Sequence, residues 1–352
     1  MNSIARLYYT ASSYINSLYQ YILFQITGKT QLHRLCARAH PSNDDRLLVQ
    51  VHYIIVHTKR YASVYMQLQS YVDDLPANPS TVHSNDKTVQ LIDDTVRQLC
   101  TIDCISNKSD SSAASTLRYC IRNIVLLYQL QYNTVPQLAS ISYDSSNQHH
   151  EKQLYNIYNR LTQQHITDAI RYSDVWSHIG FQGTNPATGM CLYNLTTYNR
   201  NVVLYHLISS SYNVLTDFRS TGLYGLYQLH EYCTHCTESQ SICHQFIQAG
   251  HMYYFSFAIT GINITGDIMW LLQHNYLNQL LFRYGINLIT LNILYACMYS
   301  QFNQLWIESK PSNVMEFGSI HQRFIEELKL KLLNNTYSLD PHIVELYTNN
   351  VK

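Results

Sequence analysis

The chain has 352 residues, which is long enough for one large domain or two smaller ones. Lysine and arginine together number 23, and so do aspartate and glutamate, so the formal net charge is zero. Nucleic-acid-binding surfaces carry an excess of basic residues, and this balance argues against such a partner. The nine cysteines lack a short repeated spacing, which is typical of buried thiols in a reducing compartment, and we expect a cytoplasmic protein.

The amino-terminal stretch from Ile4 to Ile26 is apolar and aromatic, but Arg6, Asn16, Gln20 and Gln25 interrupt it. A helix that spans a bilayer needs about 20 mostly apolar residues, and these polar positions fall on more than one face. Three alternatives follow. The interruptions favour a buried amphipathic helix, ahead of peripheral attachment to an organelle membrane through the tyrosine-rich face and of a true span or signal.

Apolar residues recur at helical spacing between this stretch and residue 150. The pattern predicts three helices, over residues 46–69, 89–100 and 117–130. Pro136 is expected to stop the third, because proline lacks the amide hydrogen that a helix interior needs. The segment 140–150 is polar, so we place the end of an amino-terminal helical region, residues 1–150, within it.

The second part of the chain shows the same periodicity. It predicts helices over residues 151–161, 223–232, 241–248, 267–282, 286–306 and 314–333. The β-branched and aromatic residues of 255–266 allow a strand, but we favour a helix followed by a turn, with Thr265 as the next N-cap. The fold class is therefore predicted to be all-α, and residues 335–352 are predicted to form a tail.

The familiar catalytic and metal-binding motifs have no good match. Cys233 and Cys236 lie near Cys243 and His244, but cysteine pairs on predicted helices suit buried thiols better than a tetrahedral zinc site. Residues 261–266 have the glycine spacing of a phosphate loop, but the lysine and hydroxyl residue that should follow are missing. We therefore expect this chain to hold neither a metal nor a cofactor.

The most specific stretch is divided in two. Its first half, residues 176–188, reads WSHIGFQGTNPAT, and its second half, residues 216–226, reads TDFRSTGLYGL. Glycine and proline are scarce, at 11 and 7 residues in the whole chain. Gly180, Gly183 and Pro186 beside Trp176 therefore indicate a backbone that turns tightly against an aromatic anchor.

Arg219 stands at the end of this turn, just before a predicted helix. One interpretation is a salt bridge to a neighbour such as Asp217. The other is a guanidinium presented to phosphate, because its planar fork and permanent charge suit the spread charge of a phosphoryl-transfer transition state. The residue types alone leave both interpretations open.

Joined across the gap, the two halves resemble the signature of the ELMO domain, W-x-x-x-I-G-F-Q-G-x-x-P-x-T-D-x-R-x-x-G. The matching residues are Trp176, Ile179, Gly180, Phe181, Gln182, Gly183, Pro186, Thr188, Asp217, Arg219 and Gly222, with Trp176 displaced by one position. Ser220 and Thr221 depart from the glycine and methionine usual in the family. Residues 27–36, 257–265 and 306–317 resemble the family further, and the resemblance implies an ELMO domain over 151–334.

The short members of this family are GTPase-activating proteins for Arf and Arf-like small GTPases, and their activity depends on the motif arginine. The resemblance therefore implies an activator without substrate turnover of its own, which supplies Arg219 in trans. Asp217 and Gln182 would orient the loop or the partner's switch region, while GTP and magnesium would belong to the GTPase. The alternative is a non-catalytic ELMO-type binding or scaffold module in small-GTPase, cytoskeletal or engulfment signalling.

An insertion, residues 189–216, separates the two halves of the motif. Its tyrosine, asparagine and leucine content is unlike a functional loop. Gly189-Met190-Cys191 can be encoded GGT-ATG-TGT, which contains the splice-donor-like sequence GTATGT. We hypothesise that the segment is a translated intron, and a mature message that retains it would remove the hypothesis.

Overall fold

The computed structural model describes residues 16, 18–38, 45–73, 86–105, 111–144, 146–164, 175–181, 221–247 and 255–349. Within these ranges every regular element is a helix and no strand occurs, which confirms the all-α prediction. The chain divides into two compact units, with the boundary between Gln129 and Leu130.

The first unit, Met1–Gln129, is built around its last helix. Its described helices are α1 (18–27), α2 (Gln31–Arg38), α3 (Asp45–His57), α4 (Ala62–Asp73), α5 (Asp86–Ile102) and α6 (Ser111–Gln129). Helices α2, α3, α4 and α5 all pack against α6. Leu117, Ile121, Ile124 and Tyr128 of α6 recur at helical spacing and are buried, so one helix supplies the centre of this core.

The second unit, Leu130–Lys352, is built around two helices. A π-helical turn (Leu130–Thr134) precedes α7 (Val135–Ser140), α8 (Gln148–Thr162), α9 (Val175–His178), α10 (Gly222–His235), α11 (Glu238–Ile247), α12 (Phe257–Gln273), α13 (Asn278–Tyr284), α14 (Leu288–Ser309), α15 (Phe317–Leu333) and α16 (Pro341–Thr348). Helix α10 packs against α7, α8, α12 and α14, and α14 also packs against α15 and α16. These two helices form the interior of the unit.

Helix α14 is apolar on most of its circumference and is buried along most of its length. Asn287 caps it by accepting a hydrogen bond from the Thr290 amide at 2.9 Å, and Lys310 ends it in the left-handed conformation. In the described residues no single helix is long and apolar enough to cross a membrane. Helices α13 and α14 pass that test only as a pair, and they are bent by 113°.

Pro136 lies in the first turn of a helix, so its expected role as a helix stop is wrong. Helix α6 ends at Gln129, the π-helical turn follows, and α7 begins at Val135. Proline fits there because the first amides of a helix have no partner within the helix. The π-helical turn packs against α12 and α7 packs against α10, so the chain enters the second unit earlier than residue 150.

The expected turn between residues 261 and 266 is also wrong, because α12 runs unbroken from Phe257 to Gln273. Thr265 does not cap a new helix. Its hydroxyl donates to the Gly261 carbonyl at 3.3 Å inside α12, and the residue is fully buried. The chain leaves the helix only after Gln273, before α13 begins.

The residues predicted as a tail contain α16. Asp340 caps this helix by accepting hydrogen bonds from the His342 amide at 2.8 Å and the Ile343 amide at 3.3 Å. Ile343 and Tyr347 are buried, and the helix packs against α14. The segment therefore belongs to the core of the second unit.

Candidate functional site

Trp176 anchors the first half of the divided motif. It lies on α9 and is fully buried. Its ring meets Tyr158 edge-on, with the centroids 5.4 Å apart, and also contacts Tyr155 at 6.0 Å and Phe181 at 6.1 Å. Because Tyr155 and Tyr158 share one face of α8, this ring cluster fixes the loop on that helix.

The backbone after Trp176 folds into a tight turn. The Gly180 amide donates to the Ser177 carbonyl at 3.0 Å, and the Phe181 amide donates to the Trp176 carbonyl at 3.1 Å. Gly180 has φ +86°, a conformation that favours glycine. A Cβ there would also lie 2.4 Å from the Phe257 amide nitrogen, so the position has no room for a side chain.

This turn caps helix α12. The Ala258 amide donates to the Ile179 carbonyl at 3.1 Å, and the Ile259 amide donates to the Gly180 carbonyl at 3.3 Å. Amides in the first turn of a helix lack partners within the helix, and here the motif backbone supplies them. The loop and the start of α12 are therefore held together by backbone groups.

Gly222, the last residue of the motif signature, begins α10. Its φ is +47°, and a Cβ would lie 2.2 Å from the Ala139 carbonyl oxygen and 2.7 Å from that of Ile141. The Leu223 amide donates to the Ile141 carbonyl at 2.9 Å. Glycine thus lets the beginning of α10 press directly against the end of α7.

The two halves of the motif lie against the same helix. Ile179 and Gly180 bond the first turn of α12, while the buried Thr221 approaches Gly266 on that helix, with its Cγ2 4.0 Å from where a Cβ would stand. Eight residues separate Ala258 from Gly266, a rise of about 12 Å. Residues on either side of 182–220 are therefore brought to one element.

Five predicted site residues, and the insertion at 189–216, fall outside the described part of the chain. They are Gln182, Gly183, Pro186, Asp217 and Arg219. Their roles stay predictions. The structure describes the residues on either side of them, Phe181 in the turn after α9 and Thr221 just before α10.

An aromatic cluster lies behind the start of α12. Phe255 is 5.7 Å from both Phe302 and Trp306 between ring centroids, and 6.5 Å from Phe317. All four rings are buried. Trp306 and Phe317 belong to the segment 306–317 that carries part of the family resemblance, so this segment supports the helix that the motif loop caps.

A buried histidine and a buried aspartate pair with each other in the second unit, and no motif in the sequence indicates this pair. His321 Nε2 is 2.8 Å from Asp267 Oδ2, and both side chains are 6% exposed. Buried polar side chains need such hydrogen-bond partners. His321 falls four residues after Phe317 and three before Phe324, an inward position that could have drawn attention, but its partner on α12 is apparent only in three dimensions.

Cys233, Cys236 and Cys243 are buried thiols. Burial raises the pKa of Cys233 well above its usual value and those of Cys236 and Cys243 to about 12. Zinc ligation and nucleophilic attack both require the thiolate, which burial disfavours here. The described residues contain no group of three or more His, Cys, Asp or Glu side chains that could hold a metal ion.

The sequence model of the ELMO/CED-12 family matches residues 133–191 and 210–321. The match begins close to the unit boundary at Leu130. The residues that it skips, 192–209, lie inside the insertion predicted at 189–216, and the second matched segment includes Arg219. The family pattern is therefore interrupted where the motif is divided.

Full-length relatives show the same similarity. ELMO domain-containing protein B of Dictyostelium discoideum is 24% identical over 310 residues, which cover 87% of this chain and 91% of that protein. ELMO domain-containing protein 1 of Bos taurus is 25% identical over 329 residues, covering 92% and 90%. ELMO domain-containing protein 2 of Bos taurus is 28% identical over 240 residues, covering 67% and 71%. No solved structure matches the chain.

Proposed function

The chain belongs to the ELMO/CED-12 family, and on that premise we propose that it is a GTPase-activating protein for Arf or Arf-like small GTPases, supplying Arg219 in trans. One observation carries the proposal. The described residues on either side of the gap in the motif lie against one helix: Ile179 and Gly180 accept hydrogen bonds from the first turn of α12, and Thr221 lies beside Gly266 on the same helix.

The proposed chemistry is electrostatic. As the bond to the leaving group loosens, negative charge spreads over the oxygens of the transferring phosphoryl group. A guanidinium from a second protein stabilises that charge, and an arginine supplied in trans is worth about 10³–10⁵ in rate, or roughly 4–7 kcal/mol. Nucleotide and magnesium belong to the GTPase in this proposal, while Asp217 and Gln182 orient the loop or the partner's switch region.

Fixed residues on either side of the arginine segment support this role, because a positioned catalytic group lowers the entropic cost of reaching the transition state. The hydrogen bonds from Ala258 and Ile259 fix the turn of the first half against α12, and the hydrogen bond from Leu223 to Ile141 fixes the start of α10 against the end of α7. Both attachments use backbone atoms, whose positions vary less than those of long side chains.

The test is single-turnover GTP hydrolysis by a panel of Arf and Arf-like GTPases, with and without this protein. We expect at least one GTPase to be accelerated, and Arg219→Ala to remove most of the acceleration. Arg97→Ala is the matched control, because this arginine is 75% exposed on α5 and pairs only with the neighbouring Asp94 among described acidic side chains. Acceleration that survives Arg219→Ala would overturn the proposal.

The insertion favours a second candidate, a binding module without catalytic effect, because residues 189–216 lie inside the motif. A variant that lacks 189–216 separates the two candidates. Activation by this variant, or by the full chain, supports the first. A complex that forms with a GTP-loaded GTPase but leaves hydrolysis unchanged in both proteins supports the second.

A further inference from the structure

Helix α1 turns large apolar side chains toward solvent. The exposed fractions are 55% for Leu18, 56% for Tyr19, 61% for Tyr21, 46% for Ile22, 40% for Phe24 and 75% for Ile26. The buried-helix alternative for this stretch is therefore wrong for its described part. Successive positions of a helix are about 100° apart, so these side chains cover most of the circumference.

The sequence in and around α1 also lacks charged residues. No lysine, arginine, aspartate or glutamate occurs from Leu7 to Gly28. Charged groups are the most costly to move into lipid, so their absence makes apolar surroundings favourable. Tyr19 and Tyr21 have an apolar ring and a polar hydroxyl, a combination enriched where a bilayer meets water.

A buried arginine holds this helix in place. Arg34 on α2 is 8% exposed, and its guanidinium donates to the Lys29 carbonyl and to Gln20 Oε1. The Gly28 amide donates to the Phe24 carbonyl at 2.8 Å and closes α1. The helix is thus tied to the first unit at its carboxyl end and along the face that carries Gln20.

A second polar group fixes α2, on which Arg34 lies. The Thr30 hydroxyl accepts from the His33 amide at 3.1 Å and donates to Asp103 Oδ2 at 2.7 Å. The Asp103 side chain is fully buried and also accepts from the Tyr61 hydroxyl at 2.8 Å. Arg34, which bonds Gln20 of α1, therefore lies on a helix whose first turn is fixed by buried hydrogen bonds.

We propose that α1 inserts into the interface of a lipid bilayer and holds the first unit at the membrane surface. A groove on another protein would cover one stripe of the helix and leave the other exposed apolar side chains in water, whereas a bilayer covers most of the circumference. The ten residues of α1 rise about 15 Å, half the thickness of a hydrocarbon core, so they occupy one leaflet.

The proposal predicts that binding does not depend on anionic lipid. The stretch from Leu7 to Gly28 has no basic residue, so the attraction comes from apolar burial and not from lipid charge. Binding to neutral phosphatidylcholine vesicles should match binding to vesicles with added phosphatidylserine, with little change on adding salt.

Vesicle flotation of the full-length protein tests the proposal. The double variant Ile22→Gln/Ile26→Gln should bind phosphatidylcholine vesicles at least about tenfold more weakly than the wild type. The control, Leu330→Gln/Leu333→Gln on α15, removes two leucines that are 60% and 66% exposed and should bind like the wild type. Failure of the wild type to float, or equal loss in both variants, would overturn the proposal.

Two further measurements identify what covers the helix. In Phe24→Trp, the difference in emission from the wild type should shift to shorter wavelength when vesicles are added; the wild type itself contributes the buried Trp176 and Trp306 and the half-buried Trp270. A dimer seen by light scattering without lipid, and lost in Ile22→Gln/Ile26→Gln, would instead assign the surface to a second copy. No GTPase is present in either measurement, so the outcome is independent of the proposed activation.

Discussion

The backbone at Gly222 leaves no room for a side chain, so substitution of this glycine should destabilise the fold. In Gly222→Ala the new Cβ would meet the carbonyl oxygens of Ala139 and Ile141 in a left-handed conformation. We expect the free energy of unfolding to fall by about 2–4 kcal/mol. Urea denaturation of the full chain measures the change.

Gly266 provides the matched control. Among the described residues, a Cβ at this helical position would meet only Thr221 Cγ2, at 4.0 Å. Alanine is the better helix former, so Gly266→Ala should raise stability by up to about 1 kcal/mol. Equal effects of the two substitutions would contradict the close approach of α10 to α7.

His52 makes stability depend on pH. Its Nε2 lies 3.0 Å from the Tyr128 hydroxyl, and burial, followed by the nearby His57, lowers the pKa of His52 from 6.5 to about 4. Below pH 6.5 the unfolded chain binds more protons at this residue than the folded chain, so stability is fully present above 6.5 and is lost as pH falls toward 4. The shift corresponds to at most about 3 kcal/mol.

Amide hydrogen exchange in α3 and α6 at pH 7.5 and 4.5 measures this effect where it arises. After correction for intrinsic exchange rates, protection should fall more in the wild type than in His52→Gln. The exposed His244 on α11 serves as the control, and His244→Gln should behave like the wild type. The same pH dependence in His52→Gln would contradict the assignment.

At the scale of elements, a hydrogen bond joins α12 to α14. The buried Tyr299 hydroxyl donates to the Phe257 carbonyl at 2.7 Å, whereas the buried Tyr295 hydroxyl has no hydrogen-bond partner among the described residues. Tyr299→Phe should therefore lower the free energy of unfolding by about 1–2 kcal/mol, and Tyr295→Phe should change it little. A loss of equal size in both, measured by urea denaturation, would contradict this distinction.

The spacing of apolar residues correctly predicted the helices that bury one regular stripe of side chains. The helix predicted over residues 314–333 shows this pattern as α15, on which the residues at helical spacing are buried: Phe317, Ile320, Phe324, Leu328 and Leu332. The prediction was wrong where a local sequence signal and the tertiary packing favoured different structures. Thr265 has the chemistry of an N-cap, but burial of α12 among its neighbours keeps the helix continuous through it.

The last helix had a local signal in the sequence that predicts it. Asp340 followed by Pro341 is a helix-start signal in the sequence, and it outweighs the lack of a long apolar pattern that favours a tail over residues 335–352. At the candidate site, residue types alone indicated Trp176 and Gly180, and the family resemblance added Gly222. The pairing of Asp267 with His321 could not be found in this way, because nothing in sequence spacing relates two residues on separate helices.

At the scale of the whole molecule, the residues matched by the family model all lie in the second unit, while the proposed membrane helix lies in the first. The two proposals therefore concern separate parts of the chain. They can be tested one at a time, since the substitutions on α1 leave Arg219 and the elements around the motif unchanged.

The most direct test of an arginine supplied in trans is affinity for the transition state. A GTPase that this protein activates, loaded with GDP and aluminium fluoride, mimics the transferring phosphoryl group. The wild type should bind this form at least about 100-fold more tightly than the GDP form, and Arg219→Ala should bind both with similar affinity. An Arg219→Ala protein that keeps the full preference for the fluoride complex would contradict the proposed role of Arg219.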